Sequence, residues 1–319
     1  MRLVSLAKNP VPSGANVIRM IAQDGVALRV VRWEATRGPR RGTVCLFGGR
    51  AEFVEKYFEV VADLRRRGFA VATMDWRGQG GSDRLLDDPM KGHVTDFAAY
   101  EKDLRQFMRE IVMPDCPPPY IALGHSMAGC SLILNAARPG SWFDRMVLTA
   151  PMIQLSEHKV RFAQGLARIY ASVGVLAGFG RSYVLGGGPV EPDFLRFEGN
   201  ALTSDRERWQ RAVGVLEAAP WLALGSPTIG WLNAAYGAMD RIAGPRFPAD
   251  VQVPILLFAA AGDEIVSTRA IEDFGVALKV GSTVLLPGSR HEILQENDAI
   301  RLRFWAAFDA YMGVSELAA

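Results

Sequence analysis

The run Ile121-Ala-Leu-Gly-His-Ser-Met-Ala-Gly129 sets one serine between an apolar stretch and a helix-forming one. A serine at such a turn can act as a nucleophile, because the turn lifts Oγ above the sheet edge and starts a helix whose N-terminus favours negative charge. The turn is sharp enough to strain the serine backbone, so the residues two positions away must be small. Gly124 meets that demand, and Ala128 stands where the G-x-S-x-G pattern has its second glycine, with Gly129 one step later. Alanine is still small enough to let helix and strand approach. Alone, the motif also fits an N-capping serine on an ordinary helix, so its meaning depends on partners.

Where this elbow occurs, an acid and then a histidine follow the serine in chain order. The histidines are His93, His125, His158 and His291. His125 adjoins Ser126 and is expected to point away from it. His93 precedes the serine, and His158 has no strand behind it. His291 follows the last apolar strand-like segment through Pro287-Gly288-Ser289-Arg290, where a loop can drop an imidazole onto Ser126. The segment before it, Val253–Ala259, leads through Gly262 to Asp263, with Glu264 as the competitor. Asp263 would bind Nδ1–H of His291 and stabilise the imidazolium. Two backbone N–H groups complete the expectation as an oxyanion hole: Met127 at the helix start, and Gly49 in the bare Gly48-Gly49 loop.

These residues need a scaffold. Val17–Gln23 and Val26–Trp33 flank Asp24-Gly25 and read as a β-hairpin. Thr43–Phe47, Phe69–Met74, Tyr120–Leu123, Arg145–Leu148, Val253–Ala259 and Val284–Leu286 read as buried strands. Phe53–Arg67, Val94–Met113, Ser126–Arg138 and Glu292–Tyr311 read as helices. The alternation argues for a mostly parallel sheet covered on both faces, an α/β fold. From Gln154 to Ala249 no buried strand is expected, only helical stretches broken by glycine and proline. Residues 1–153 and 250–319 are therefore the expected core, and 154–249 a helical cap inserted into it.

Bulk properties restrict the function. A formal net charge of +2 over 319 residues argues against a nucleic-acid partner. The short basic cluster at Arg37, Arg40 and Arg41 reads as a solvated loop. Cys45, Cys116 and Cys130 give neither a disulfide framework nor a zinc pattern; Cys45 and Cys130 read as buried, and Cys116, before a proline run, as exposed. The first residues lack the apolar core of a secretory signal, and no stretch is long and apolar enough to span a bilayer, so the cytoplasm is the expected location.

The chain resembles the bacterial lysophospholipase and monoacylglycerol lipase family of α/β-hydrolases. Gly48-Gly49 with Glu52 and Tyr57 resembles that family's oxyanion loop and following helix. Asp75-Trp76-Arg77-Gly78-Gln79-Gly80-Gly81-Ser82 resembles its D-x-R-G-x-G-x-S loop. Gly92–Phe97 precedes a helix carrying Asp103, as in the family, and Pro227–Leu232 resembles a cap motif. Gly124–Met127, Gly262-Asp263 and Arg290-His291-Glu292 resemble the elbow and the two triad ends. The resemblance implies the α/β-hydrolase fold, the cap and a Ser126–Asp263–His291 triad. Phe47 stands where the family often has histidine, the oxyanion loop is one residue longer, and Ala128 replaces a glycine.

The implied chemistry is two-step acyl transfer through an acyl-enzyme, with no metal or organic cofactor. Cap segments Phe162–Phe179 and Val213–Tyr236 are rich in Leu, Ile, Trp and Tyr, including Trp221 and Trp231. An apolar lid suits a single acyl chain, so the expected partner is a monoacyl lipid or short ester, with peripheral membrane contact a further option. Amide or peptide hydrolysis and acyl transfer to another acceptor are alternatives on the same triad. A binding protein on a dead scaffold would have a broken triad, and here every position is filled.

Overall fold

The structure, a computed structural model, describes residues 1–36, 40–156, 164–190 and 196–314. Arg37, His158, Phe162 and Pro192 lie outside the described residues. The hairpin forms as β1 (Asn16–Ile21) and β2 (Ala27–Trp33), with Gly25 in the turn at φ 85°. The remaining strands are β3 (Thr43–Phe47), β4 (Ala70–Met74), β5 (Tyr120–His125), β6 (Arg145–Thr149), β7 (Ile255–Ala260) and β8 (Gly281–Leu286). They form one sheet in the order β1-β2-β4-β3-β5-β6-β7-β8. β1 and β2 pair antiparallel, as do β2 and β4, and every later pairing is parallel. β3, β4 and β7 are buried along their whole length, which is why they read as continuous apolar runs.

The helices are α1 (Phe58–Arg66), α2 (Ala98–Phe107), α3 (Met113–Asp115), α4 (Met127–Ala136), α5 (Gln164–Leu176), α6 (Arg206–Ala218), α7 (Ile229–Ile242), α8 (Phe247–Asp250), α9 (Thr268–Ala277) and α10 (Asp298–Met312). Several differ from the sequence expectation. Val54–Tyr57 is a 3₁₀ turn before α1, Met108–Val112 is a π turn after α2, and Ile293–Gln295 is a separate 3₁₀ turn before α10. α9 has no counterpart in the expected elements. Its signal is the Ser267 cap, whose hydroxyl accepts from Ala270 N–H at 3.2 Å, followed by Ile271 and Phe274 on one buried face. Cys116 is buried at 8% exposure, contrary to expectation, because it packs into the main apolar cluster.

Between β6 and β7 the described residues hold α5 to α8 and no named strand. α7 is buried through Ala234, Ala235, Met239 and Ile242, within the same apolar cluster as the sheet, and packs on α4. α5 packs on α7 in turn.

Chain direction sets where chemistry can gather. From β3 the chain crosses to β4 on one side, and from β5 it proceeds to β6 on the other. The C-terminal ends of β3 and β5 therefore border the crevice where parallel sheets hold their ligands.

Candidate active site

Register brings the first pieces together. Phe47 pairs with Gly124, so the residues that follow each strand run side by side. A Cβ built on Gly49 would lie 3.1 Å from Ser126 Cβ, which is a close backbone approach. Ser126 sits at φ 51° and ψ −114°, a left-handed conformation that a side chain rarely adopts. Its N–H is fixed to Thr149 O at 3.0 Å, and its carbonyl accepts from Met152 N–H at 3.0 Å and Cys130 N–H at 3.2 Å.

The small residues of the elbow each answer a particular neighbour. A Cβ at Gly124 would meet Leu132 Cδ1 at 2.4 Å, and one at Gly129 would meet Pro151 Cβ at 2.6 Å and Cα at 2.9 Å. Ala128 is fully buried and fits. The second obligatory glycine of this elbow is thus Gly129, one place beyond the usual pattern.

His291 Nε2 lies 3.0 Å from Ser126 Oγ, and Nδ1 lies 2.8 Å from Asp263 Oδ2. With Nδ1 protonated toward the carboxylate, Nε2 is left to accept the serine proton. Asp263 Oδ1 accepts from Ile265 N–H at 2.8 Å and Val266 N–H at 3.0 Å, so both its oxygens are used. Burial pushes this carboxyl up, but His291 and the two amides outweigh burial and hold it below its ordinary value. The competitor Glu264 makes no hydrogen bond to His291. Gly262 N–H donates to Ser289 O at 2.8 Å, and a Cβ at Gly262 would lie 3.0 Å from that oxygen. This contact ties the aspartate turn to the histidine loop.

His125 Nδ1 faces Thr149 O at 3.0 Å, and its ring centroid lies 4.7 Å from that of His291 at an interplanar angle of 56°. Burial drives its pKa down to about 4, with Glu52 pulling the other way, and it is a neutral spacer at pH 7. His93 is held by Thr228 Oγ1 at 2.8 Å, away from the serine.

The loop after β3 corrects the Gly49 expectation. Gly49 N–H donates to the Glu52 carboxylate, which also accepts from Tyr57 Oη at 2.5 Å. Burial raises the Glu52 carboxyl, but Lys56, His125 and Tyr57 outweigh it and bring it to about 2. Gly49 N–H is therefore engaged. The Gly49 carbonyl accepts from Gln79 Nε2 at 2.7 Å. In a trans peptide C=O and N–H point in opposite directions, so the Arg50 N–H faces away from Gln79. That N–H has no protein acceptor among the described residues, and Arg50 lines the same cavity as Ser126. Met127 N–H is the first of α4 and has no acceptor within its helix.

The D-x-R-G-x-G-x-S loop clamps this arrangement. Trp76 Nε1 donates to Gly48 O at 3.0 Å, and Gln79 Oε1 accepts from Ala51 N–H at 3.3 Å. Arg77 grips Asp103 at 2.7 and 2.6 Å. Asp75 accepts from Val54 N–H at 3.0 Å and from buried Arg29 at 2.6 Å, and Arg29 forks onto Glu55 at 2.7 Å through both terminal nitrogens. A Cβ at Gly80 would strike Asp75 Cγ at 2.3 Å. Phe47, standing where a histidine is common, is fully buried with its ring centroid 5.4 Å from Trp76 and 5.6 Å from Phe107.

Sequence reading did not single out Lys56, although Glu52 and Lys56 stand at i,i+4 spacing. The ammonium lies 2.9 Å from Glu52 and 2.5 Å from Glu292, and joins the oxyanion loop to the histidine loop. Burial raises the Glu292 carboxyl, against the pull of Lys56.

The family model described as serine aminopeptidase, S33 (Hydrolase_4) matches residues 38–298. The chain belongs to that family. Lysophospholipase L2 of Escherichia coli K12 is 32% identical over 286 residues, 87% of this chain and 82% of that protein. Monoacylglycerol lipase of Mycolicibacterium smegmatis is 28% identical over 282 residues, 85% of this chain and 88% of that protein. Among solved structures, a soluble variant of monoglyceride lipase from Saccharomyces cerevisiae superposes with a TM-score of 0.75 at 18% identity, covering 97% of this chain and 98% of that one. At that identity the superposition shows the α/β-hydrolase fold, and the hydrolase family thus agrees with the sheet order and the elbow described above.

Above Ser126 lies a cavity of about 500 Å³. One wall is Ser126, His291 and Met127; the opposite wall comes from between β6 and β7 and includes Leu202, Val213, Leu216 and Trp231. The surface is mostly apolar, as a hydrocarbon chain requires.

Proposed function

We propose that Ser126 attacks the carbonyl of a monoacyl lipid ester, with His291 as base and Asp263 holding the histidine. The protein is an ester-hydrolysing serine hydrolase. The observation that carries the residue roles is the unbroken relay from Asp263 Oδ2 through His291 to Ser126 Oγ, at 2.8 and 3.0 Å, on a serine with strained backbone. His291 accepts the serine proton and returns it to the leaving alcohol. A water deprotonated by the same imidazole then releases the fatty acid. The tetrahedral oxyanion is received by Met127 N–H and Arg50 N–H, each contributing on the order of 3 kcal/mol to transition-state stabilisation. Arg50 takes the place first assigned to Gly49.

Residues 154–249 act as the cap, and the apolar cavity beneath them favours one acyl chain. The relatives named lysophospholipase and monoacylglycerol lipase support this substrate class. Among the described residues no helix is long and apolar enough to cross a membrane. The enzyme reaches lipid from the cytoplasm through α5, which has its bulk on the outside. Ala167 and Ala171 face inward, while Leu166, Ile169, Val173 and Leu176 are exposed. Such a face suits a membrane surface.

A panel of esters graded from short-chain p-nitrophenyl esters to monoacylglycerols and lysophospholipids, run beside matching amides, tests the reading. Monoacyl esters should turn over with kcat/KM rising with chain length until the cavity is filled. Turnover of amides alone would overturn the ester assignment.

A further inference from the structure

Among the described residues three side chains that carry cations line the cavity, and two of them are neutralised. Lys56 lies between Glu52 and Glu292. Arg208 pairs with Glu59 at 2.7 Å, Asp205 at 3.1 Å and Asp298 at 2.6 Å. Among the described residues Arg50 has no carboxylate partner. Its Nη2 donates to the Gly225 carbonyl, and Nε is buried with no acceptor there.

The position of this guanidinium is built rather than incidental. It lies 5.5 Å from the centroid of the Trp231 ring, within cation–π range. A Cβ at Gly92 would approach Nη2 to 2.9 Å, so the glycine leaves room for it. Gly92 and the stretch from Gly225 to Trp231 come from two separate parts of the chain that converge on one side chain. Burial lowers the Arg50 pKa to about 10, with Tyr100 opposing, and the group is still cationic at neutral pH. A partly desolvated cation with unused donors is costly unless an anion pairs with it. Guanidinium donors match the oxygens of a phosphate in a fork.

We propose that the Arg50 guanidinium receives the phosphate of the substrate headgroup and makes the site discriminate phosphate-bearing monoacyl lipids from neutral monoacylglycerols. The inference rests on the ester-hydrolase reading above. The backbone of Arg50 borders the reacting carbonyl, and its side chain reaches away toward Gly225 and Trp231. A lysophospholipid has the same layout, with its ester and its phosphate at opposite ends of one glycerol unit. The acyl chain then occupies the apolar part of the cavity, and the phosphate meets the one lining cation among the described residues that no carboxylate satisfies.

Because the Arg50 backbone also belongs to the proposed oxyanion hole, the readout is a ratio. kcat/KM is measured for a lysophosphatidylethanolamine and for the monoacylglycerol of the same chain, with wild type, Arg50→Gln and Arg50→Lys. The lysophospholipid-to-monoacylglycerol ratio should fall about 10- to 100-fold in Arg50→Gln, the range for a lost hydrogen bond to a charged group. Arg50→Lys should recover part of it. An equal fall for both substrates, an unchanged ratio, or no recovery with lysine would overturn the proposal. Calorimetric binding of sn-glycerol 3-phosphate supplies an arm independent of turnover, and Arg50→Gln should weaken it at least about tenfold. If the free phosphate ester binds through Arg50 but the substrate ratio does not move, the site serves a free anion and the substrate role fails. If Arg50-dependent binding is seen and no ester is hydrolysed, it is the ester-hydrolase reading that fails.

Discussion

The C-terminal edge of the sheet and helix α5 solve opposite problems. At the sheet edge, polar groups are buried and every bond is specified: Ser126, His291 and Asp263 are locked by register, by paired amides and by glycines with no room for a Cβ. In α5, alanines face the protein and large apolar side chains face outward, with Leu176 86% exposed. Small residues there allow close approach to α7, where a Cβ at Gly174 would lie 2.8 Å from Ile229 Cγ2. The core edge is built for one geometry, whereas the outer face of α5 contributes little to the fold and is free to serve an external apolar surface. Substitutions at the edge should therefore be costly in rate or stability, and those on the outer face of α5 should be cheap in both.

The largest expected effect is on rate. Asp263→Asn keeps the shape but leaves His291 in the wrong tautomer, and kcat should fall on the order of 10⁴-fold, by steady-state kinetics on a short ester. A fall of less than tenfold would separate Asp263 from the chemistry.

Next in size is acid sensitivity. His125 has a folded pKa depressed to about 4 from an ordinary 6.5, so below pH 6.5 the unfolded chain binds more protons than the folded one. Stability is fully present above pH 6.5 and declines as pH falls toward 4, by about 3 kcal/mol if this group acts alone. Urea unfolding of wild type and His125→Gln at pH 7 and 4.5 measures it, and the variant should show the shallower dependence. Asp263 and Glu52, both depressed, add to the loss at lower pH, where their carboxylates take up protons.

A smaller effect distinguishes the two residues of the elbow helix. Gly129→Ala forces a methyl against Pro151 and should destabilise by about 1–3 kcal/mol. Ala128→Gly should cost no more than about 1 kcal/mol, the ordinary helix penalty plus a lost methyl contact. The same unfolding titration orders them, and a reversed order would restore the usual pattern. The smallest stability effect belongs to the other region. Ile169→Gln with Val173→Gln should move stability by no more than about 0.5 kcal/mol per site, while weakening co-sedimentation with anionic phospholipid vesicles severalfold. Vesicle binding unchanged by both would remove α5 from any membrane contact.

What was legible in the sequence follows the same division. The buried strands announce themselves as apolar runs, and Ser126, Asp263 and His291 each follow one of them at the same sheet edge. Chain order alone then pairs them. The departures come from contacts between distant segments. Nothing local says that Glu52 folds back onto Gly49 N–H, or that Gln79 fixes the Gly49 carbonyl and leaves Arg50 N–H without an acceptor among the described residues. Nothing near Gly129 announces Pro151. Cys116 looked exposed beside its prolines because its cover is contributed by packing rather than by its neighbours in sequence. α9 had a readable cap in Ser267 but a short apolar face, Ile271 and Phe274, that periodicity alone underweights.

The central claim is that Ser126 is the nucleophile, and covalent labelling tests it most directly. Folded protein treated with a fluorophosphonate and digested for mass spectrometry should carry the phosphonyl group on Ser126. Asp263→Asn should label far more slowly, and Ser126→Ala not at all. A modified residue elsewhere, or an unlabelled Ser126 in protein that still hydrolyses esters, would contradict the account.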